Sequence, residues 1–419
     1  MLDFAKRKIC ANQLTNIMKG IAALAPTLLL TLILTSCMSD GYTDTAAGKS
    51  DTYINLNVST PTAQARANAL ANPAGTSGSL KENETSPNPT EEEKIYSIRV
   101  WAFKSGTGEK AMPIGFKAET GLKETGTHKV SMKLLRKAAG DLENIDLFIL
   151  LNAESIDVLD GNNCNTMTRK ALKDATFNSN FGINTNGSPQ ATTVPATGLP
   201  ISRVITNIYV KDNIADNAAD AATKPVSVPL VRAVSKLHFF FARKTGKDTE
   251  SVTVTKIEVN GDSLTAASPV FPQAATDAET DTKGLTGSFT GLTYLNSQIL
   301  KFGEIATSKI KAVTEPKEYI RRPNENAQAY MTRLRENKIQ EGCISYLRET
   351  NVAITGKIYF KSNEAVAERY VAFEIPEAYR NHELVVYGYF SGEALLDNLK
   401  LQYYVANWNE KTATDITFN

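Results

Sequence analysis

Residues 53–75 read YINLNVSTPTAQARANALANPAG, and the two halves of that stretch differ in kind. Ile54, Leu56 and Val58 alternate with Asn55, Asn57 and Ser59. That is the period-two pattern of a strand with one buried face. From Thr60 the composition turns to Ala, Asn, Thr, Gly and Pro, with a lone arginine at Arg66. The polar stretch continues to position 93, through SGSLKENETSPNPTEEEK, with almost no large apolar residues. A segment of over thirty such residues is far longer than an ordinary loop, so it is functional or disordered. Arg66 is the only arginine between Cys37 and Arg99, and it lies in a small-residue, polar, accessible setting of the kind proteases cut. An incidental surface arginine would look the same.

Outward from this stretch the chain reads as many short strands. Ile95–Phe103 is a strand that ends in the turn Ser105-Gly106-Thr107-Gly108. Further strands are expected at 129–135, 145–152 (IDLFILLN) and 201–210, with a short helix at 166–175. DNIADNAADAATKP (212–225) reads as a connector. VSVPLVRAVSKLHFFFARKTG (226–246) reads as a strand pair or one long bent strand, and SVTVTKIEVNG (251–261) as another strand. Asn324 is placed to cap a helix over 325–340, where Ala327, Tyr330, Met331 and Leu334 recur at helical spacing before Gly342. Strands at 352–360, 369–375, 383–390, 398–406 and 414–418 close the chain. The expected class is mainly β, two β-sandwiches in series with a few short helices. The divisions fall at 1–37, 38–66, 67–225 and 226–419.

The first of these segments is a targeting sequence rather than part of the fold. Residues 18–37 read MKGIAALAPTLLLTLILTSC, an apolar run too short and too early for an ordinary membrane span. It ends in Leu34-Thr35-Ser36-Cys37, the pattern of a bacterial lipobox, in which Cys37 carries the lipid. The alternative is an ordinary signal peptide with an accidental cysteine. Met18 is a more natural start than Met1, and Ser39 suggests export to the outer membrane. Of the four cysteines, Cys164 and Cys343 then remain in the fold, as a disulfide or as two buried thiols.

Little in the composition points to chemistry. Net charge is +1 over 419 residues, with no basic stripe, which argues against nucleic acid as a partner. His128, His238 and His382 lie far apart and no CxxC pair occurs, so neither a metal nor a cofactor is expected. No nucleophile elbow, phosphate loop or zinc-protease motif is present, and Gly106-Thr107-Gly108 is a turn rather than a dinucleotide fingerprint. Glu91-Glu92-Glu93 reads as a solvated charge run. Arg321, Arg322, Arg333 and Arg335, balanced by Glu315, Glu318, Glu325 and Glu336, read as a solvated helix face. His382, next to Arg380 and Asn381, has a structural role. The chain is not expected to be an enzyme.

Four segments, taken in order, resemble the fimbrillin family, the lipoprotein-derived subunits of type V pili. They are TYINLNVSTPTAQARAN, EEEKIYSIRVWAFKSGTG, VSVPLVRAVSKLHFFF, and YRNHELVVYGYF followed by LKLQYYVANW. The resemblance implies two transthyretin-like β-sandwich domains. It implies transit through the cell outer membrane on the Cys37 lipid and then a place in a cell-surface fimbrium. It also implies cutting by an arginine-specific protease, here between Arg66 and Ala67, which removes the strand carrying Ile54, Leu56 and Val58. The emptied groove would take a strand from the next subunit, with Ile416 and Phe418 of the tail Thr412–Asn419 as the donor residues. Partners would be other copies of the chain and related pilus subunits, with host or bacterial surface receptors beyond them.

The physics of a missing strand agrees with that picture. A sandwich short of one strand exposes an apolar groove and unpaired backbone, which invite strand addition. Burying Ile54, Leu56 and Val58 is worth at most roughly 1.5–3 kcal/mol each. A covalent tether adds a high effective concentration that cutting removes. The competing readings are a pilus anchor that is never cut, a tip adhesin that accepts but need not donate a strand, and a glycan-binding surface lipoprotein. The last would favour aromatic platforms, and the only tryptophans are Trp101 and Trp408.

Overall fold

Two runs in this chain, IDLFILL and LHFFFA, are apolar at nearly every position instead of every second one, and both become strands covered on two faces. The computed structural model describes residues 51–60, 91–135, 142–155, 164–177, 194–246, 249, 251–271, 293–294, 299–302, 304–323, 325, 327–361, 367–377, 379–391, 399–407 and 413–416. The described residues are mainly β, as the sequence predicts.

The first part of the chain supplies β1 (Asp51–Ser59), β2 (Lys94–Lys104), β3 (Gly115–Thr125), β4 (Thr127–Leu135), β5 (Asn144–Leu151), β6 (Thr176–Phe177), β7 (Ile201–Tyr209), β8 (Val226–Pro229) and β9 (Val231–Arg232). The second part supplies β10 (Val234–Lys244), β11 (Thr253–Asn260), β12 (Thr265–Pro269), β13 (Thr293–Tyr294), β14 (Ile299–Phe302) and β15 (Lys311–Val313). It continues with β16 (Gln340–Arg348), β17 (Ile354–Lys361), β18 (Arg369–Ile375), β19 (His382–Phe390), β20 (Leu399–Asn407) and β21 (Ala413–Ile416). Among the described residues three α-helices join them: α1 (Arg169–Lys173), α2 (Ala218–Ala221) and α3 (Ala327–Glu336). The end of the expected 325–340 segment shows why that helix stops at Glu336, since Lys338 takes a positive φ of 56° and β16 begins at Gln340.

A sheet of order β4-β1-β8 packs on one of order β3-β2-β5-β7-β9. Their shared core holds Ile54, Leu56, Val130 and Met132 from the first sheet and Val100 and Ile149 from the second. In the same way β15-β10-β19-β20-β21, with β16 also on β10, packs on β14-β11-β17-β18. Leu237, Phe239 and Phe241 of β10 face Ile257, Ile358 and Phe360 there.

The outward faces of β5 and β10 are covered too. Trp101, Phe148 and Leu150 pack with Leu172 of α1 and with Val234, Phe271 and Tyr346 from the second part of the chain. Phe240 and Tyr387 pack under Tyr330, Met331 and Leu334 of α3. A short fifth sheet among the described residues, β13-β12-β6, draws strands from both parts. Although β8 and β9 lie past position 225, both pair within the first sandwich, and strand membership changes over between Arg232 and Val234.

Candidate functional site

β1 is the middle strand of its sheet. It runs antiparallel to β4 through nine pairs, from Asp51↔Leu135 to Ser59↔Thr127. It runs parallel to β8 through the shorter register Leu56↔Val226 to Ser59↔Pro229. Among the described residues β4 and β8 join no other strand, so β1 alone connects them. Ile54, Leu56 and Val58 have no exposed surface, whereas Tyr53, Asn55, Asn57 and Ser59 on the other face are half-buried. Without β1, two rows of backbone donors and acceptors would face each other across a gap one strand wide. Val130, Met132, Leu134 and Val228 would line it.

The segment read from sequence as a connector, 212–225, is instead a strap along β1. Where β8 stops short, Tyr53 N donates to Ala215 O at 2.8 Å and Ala215 N donates to Tyr53 O at 3.1 Å. Asn55 Nδ2 donates to Ala218 O at 3.3 Å. The strap holds its shape through α2, whose N-cap Asn217 accepts Asp220 N at 2.8 Å. Ala218 O also accepts Ala222 N at 3.0 Å, which fixes its position. At the far end, Thr60 is fully buried and its N–H donates to Gly126 O at 2.8 Å, so the chain leaves β1 through a closed exit.

Beside that exit, His128 of β4 stands opposite Val58. Its Nδ1 lies 2.5 Å from Glu124 Oε2 and its Nε2 2.8 Å from Glu119 Oε2, both carboxylates coming from β3. The bond to Glu119 raises the His128 pKa above 6.5, against the opposing effect of burial. The bond from His128 lowers that of Glu119 below 4.5 in turn. Each nitrogen holds a separate carboxylate, so the three do not converge on one ion. No group of described residues has a geometry that could hold a metal.

The acidic lead-in to β2 is not a solvated charge run. Glu91 is exposed, but Glu93 is only 4% exposed. Glu92 accepts from Lys236 Nζ and from Tyr346 Oη, both at 2.7 Å. Lys236 also lies 3.6 Å from Glu383, which faces His238 Nδ1 at 3.3 Å. Burial pushes the Tyr346 phenol well up. Glu341 is held down at about 2, because bonds from His238 and Arg335 outweigh the desolvation that burial imposes. These partners come from β10, β16 and β19, so the residues just after the tether are bolted to the second sandwich. The solvated face expected around α3 holds for Arg322, Arg335, Glu318 and Glu336, which are exposed, but not for Arg333. Arg333 forks onto Glu325 at 2.7 Å through both Nε and Nη2, with both side chains largely buried.

Arg380 has a structural role beside that of its neighbour His382. It is 1% exposed and bonds Glu349 through Nε at 2.8 Å and Nη2 at 2.5 Å. His382 Nδ1 lies 2.9 Å from the Arg380 carbonyl. Cys164 is a buried free thiol, which leaves the buried-thiol alternative for that residue.

Of the remaining site residues named from sequence, Cys37, Arg66, Ala67 and Phe418 lie outside the described residues. Ile416 is in β21, an edge strand, opposite Tyr403 of β20. No described helix is long and apolar enough to cross a membrane. Sequence reasoning missed the strap and the Glu92 partners. For the strap, the one available signal was Asn217 with Asp220 three residues on, a helix-start pattern.

No family model and no curated protein matches this chain. Among solved structures it is similar to the tip fimbrial protein Mfa3 of Porphyromonas gingivalis, truncated at its C-terminus. That match has 13% identity and a TM-score of 0.45, covering 85% of this chain and 100% of the other. A fimbrial assembly protein of Parabacteroides distasonis matches at 12% identity and TM-score 0.41, covering 87% of this chain and 100% of its own. The fimbrial anchor protein Mfa2 of Porphyromonas gingivalis matches at 7% identity and TM-score 0.34, over 85% and 97%.

Proposed function

We propose that this protein is a structural subunit of a cell-surface pilus, assembled by strand exchange and not an enzyme. β1 is a built-in occupant of the assembly groove. The observation that carries the reading is that β1 alone joins β4 and β8, with its three apolar side chains fully buried, while the chain beyond it runs straight into the Arg66 tether. In this reading Cys37 carries the lipid that takes the chain to the outer membrane, and an arginine-specific protease cuts between Arg66 and Ala67. The cut ends the covalent advantage of β1, and a strand from another subunit takes its seat. The first domain is the sandwich built around β1 and the second the sandwich built around β10. The tail with Ile416 and Phe418 is the segment offered to a neighbour.

The N-terminus of the protein isolated from the cell surface tests this. Ala67 at the N-terminus, with a ladder of multimers that collapses on heating, is the expected result. A lipidated Cys37 as the sole N-terminus would overturn it. In the same cells, Arg66→Ala should leave a folded lipidated monomer, and normal fibres from that variant would remove Arg66 from the scheme.

A further inference from the structure

The face of β1 that enters the core is five positions long, and only the middle three are hydrocarbon. Thr52, Ile54, Leu56, Val58 and Thr60 follow one another at alternate positions, and none of them has exposed surface. The two ends of the series carry hydroxyls. Thr52 Oγ1 and Thr60 Oγ1 are both buried, and neither has a hydrogen-bond partner among the described residues. The surroundings of both ends are apolar. Leu134, itself fully buried, stands opposite Thr52 in the ladder to β4. Ile214 of the strap packs against the same core. At the other end Leu230 donates its N–H to Ser59 O at 3.0 Å, and Leu230 belongs to that core as well. The bond from Thr60 N to Gly126 O holds Thr60 in this position.

A hydroxyl taken out of water without a partner costs free energy, whereas a methyl group in the same place adds to stability. Each end of β1 is therefore unfavourable where hydrocarbon would be favourable. We infer that the β1 seat is a groove for five alternating apolar side chains, and that β1 under-fills it at both ends. The partner that fits the seat better is a strand with apolar residues in the places of Thr52 and Thr60 as well as in the three places between. The three central anchors and the tether hold β1 in the uncut chain. Once the tether is cut, a strand with five anchors outcompetes it. The inference rests on the strand-exchange reading for its partner, but the under-filling of the seat stands without that reading.

The test uses the full chain with a specific protease site placed at 66–67. In the uncut chain, Thr52→Val and Thr60→Val should each raise the folding equilibrium constant by about five- to tenfold, measured by denaturant unfolding. Thr120→Val, at an exposed position of β3, should leave it within about twofold. After cutting, release of the β1 fragment is followed against two fluorescent peptides spanning residues 51–60. One has the natural sequence and the other carries Thr52→Val with Thr60→Val. The double variant should bind roughly 25- to 100-fold more tightly, the product of the two single effects. Single variants no more stable than the unchanged chain, or a double-variant peptide that binds no more tightly than the natural one, overturn the inference and leave strand exchange standing. If neither peptide enters the cut, still folded chain, strand exchange falls and the inferred partner falls with it.

Discussion

His128 shows how one side chain can tie the β1 seat to pH. Its pKa is raised above 6.5 by the bond to Glu119, so its contribution to stability is fully present below that value and is lost as pH rises through the raised one. Glu119 works in the opposite sense. Its pKa is lowered from 4.5, so its contribution is present above 4.5 and is lost as pH falls through the lowered value. The cluster is therefore at full strength between about 4.5 and 6.5. Thermal unfolding followed against pH should show His128→Gln destabilising most in that window, with the gap to the unchanged protein closing on the alkaline side. A constant gap at all pH values would disprove the coupling. None of this was legible in the sequence, where His128 was only one of three scattered histidines. Glu92 was misread for the same reason, since Lys236 is 144 positions away and Tyr346 is 254 away. A charge run looks solvated until long-range partners are known.

Elements were read better, because periodicity is a local property. β1 announces itself by alternation, and its alternation is real because only one of its faces is buried. β5 and β10 announce themselves by unbroken apolar runs, and those runs reflect cover on both faces. β3, GFKAETGLKET, was missed: it is an edge strand whose second half is mostly exposed, so its sequence carries no hydrophobic period. The strap was missed because its bonds to β1 run mainly through backbone groups, which composition does not report.

For β1 itself, Leu56→Ala in the uncut chain should cost about 2–5 kcal/mol. Asn57→Ala on the half-buried face should stay within about 0.5 kcal/mol. Denaturant unfolding of the two variants measures both. Equal effects would mean that β1 is not seated in the core as described.

The two sandwiches are joined by more than a linker. Arg380 Nη1 donates to Ser202 Oγ at 3.1 Å in the first sandwich and to the Val270 carbonyl at 3.3 Å, while its other nitrogens reach Glu349 and the carbonyl of Pro269. Around it Trp101 and Phe148 of the first part meet Phe271 of the second edge to face. Removing the arginine strands Glu349, which has no exposed surface, so Arg380→Met should cost about 3–5 kcal/mol. Arg380→Met with Glu349→Leu should recover much of that loss. Calorimetry of the single and double variants decides, and a double variant no better than the single would show that the ion pair is not what matters there. The existence of two sandwiches could be read from strand count and turn spacing. Their joint could not, because Trp101, Phe271 and Tyr346 look in sequence like residues of any core.

The nine-pair ladder between β1 and β4 has a mechanical consequence. Ladder hydrogen bonds lie across the strands, so tension along the strand axis loads all of them together. A lift at one end loads them one after another. A strand held in this seat is thus strong in shear and weak in peeling. On the proposed strand exchange, fibre subunits linked through it would bear a pull along the fibre, while replacement of one strand by another would proceed as unzipping from an end.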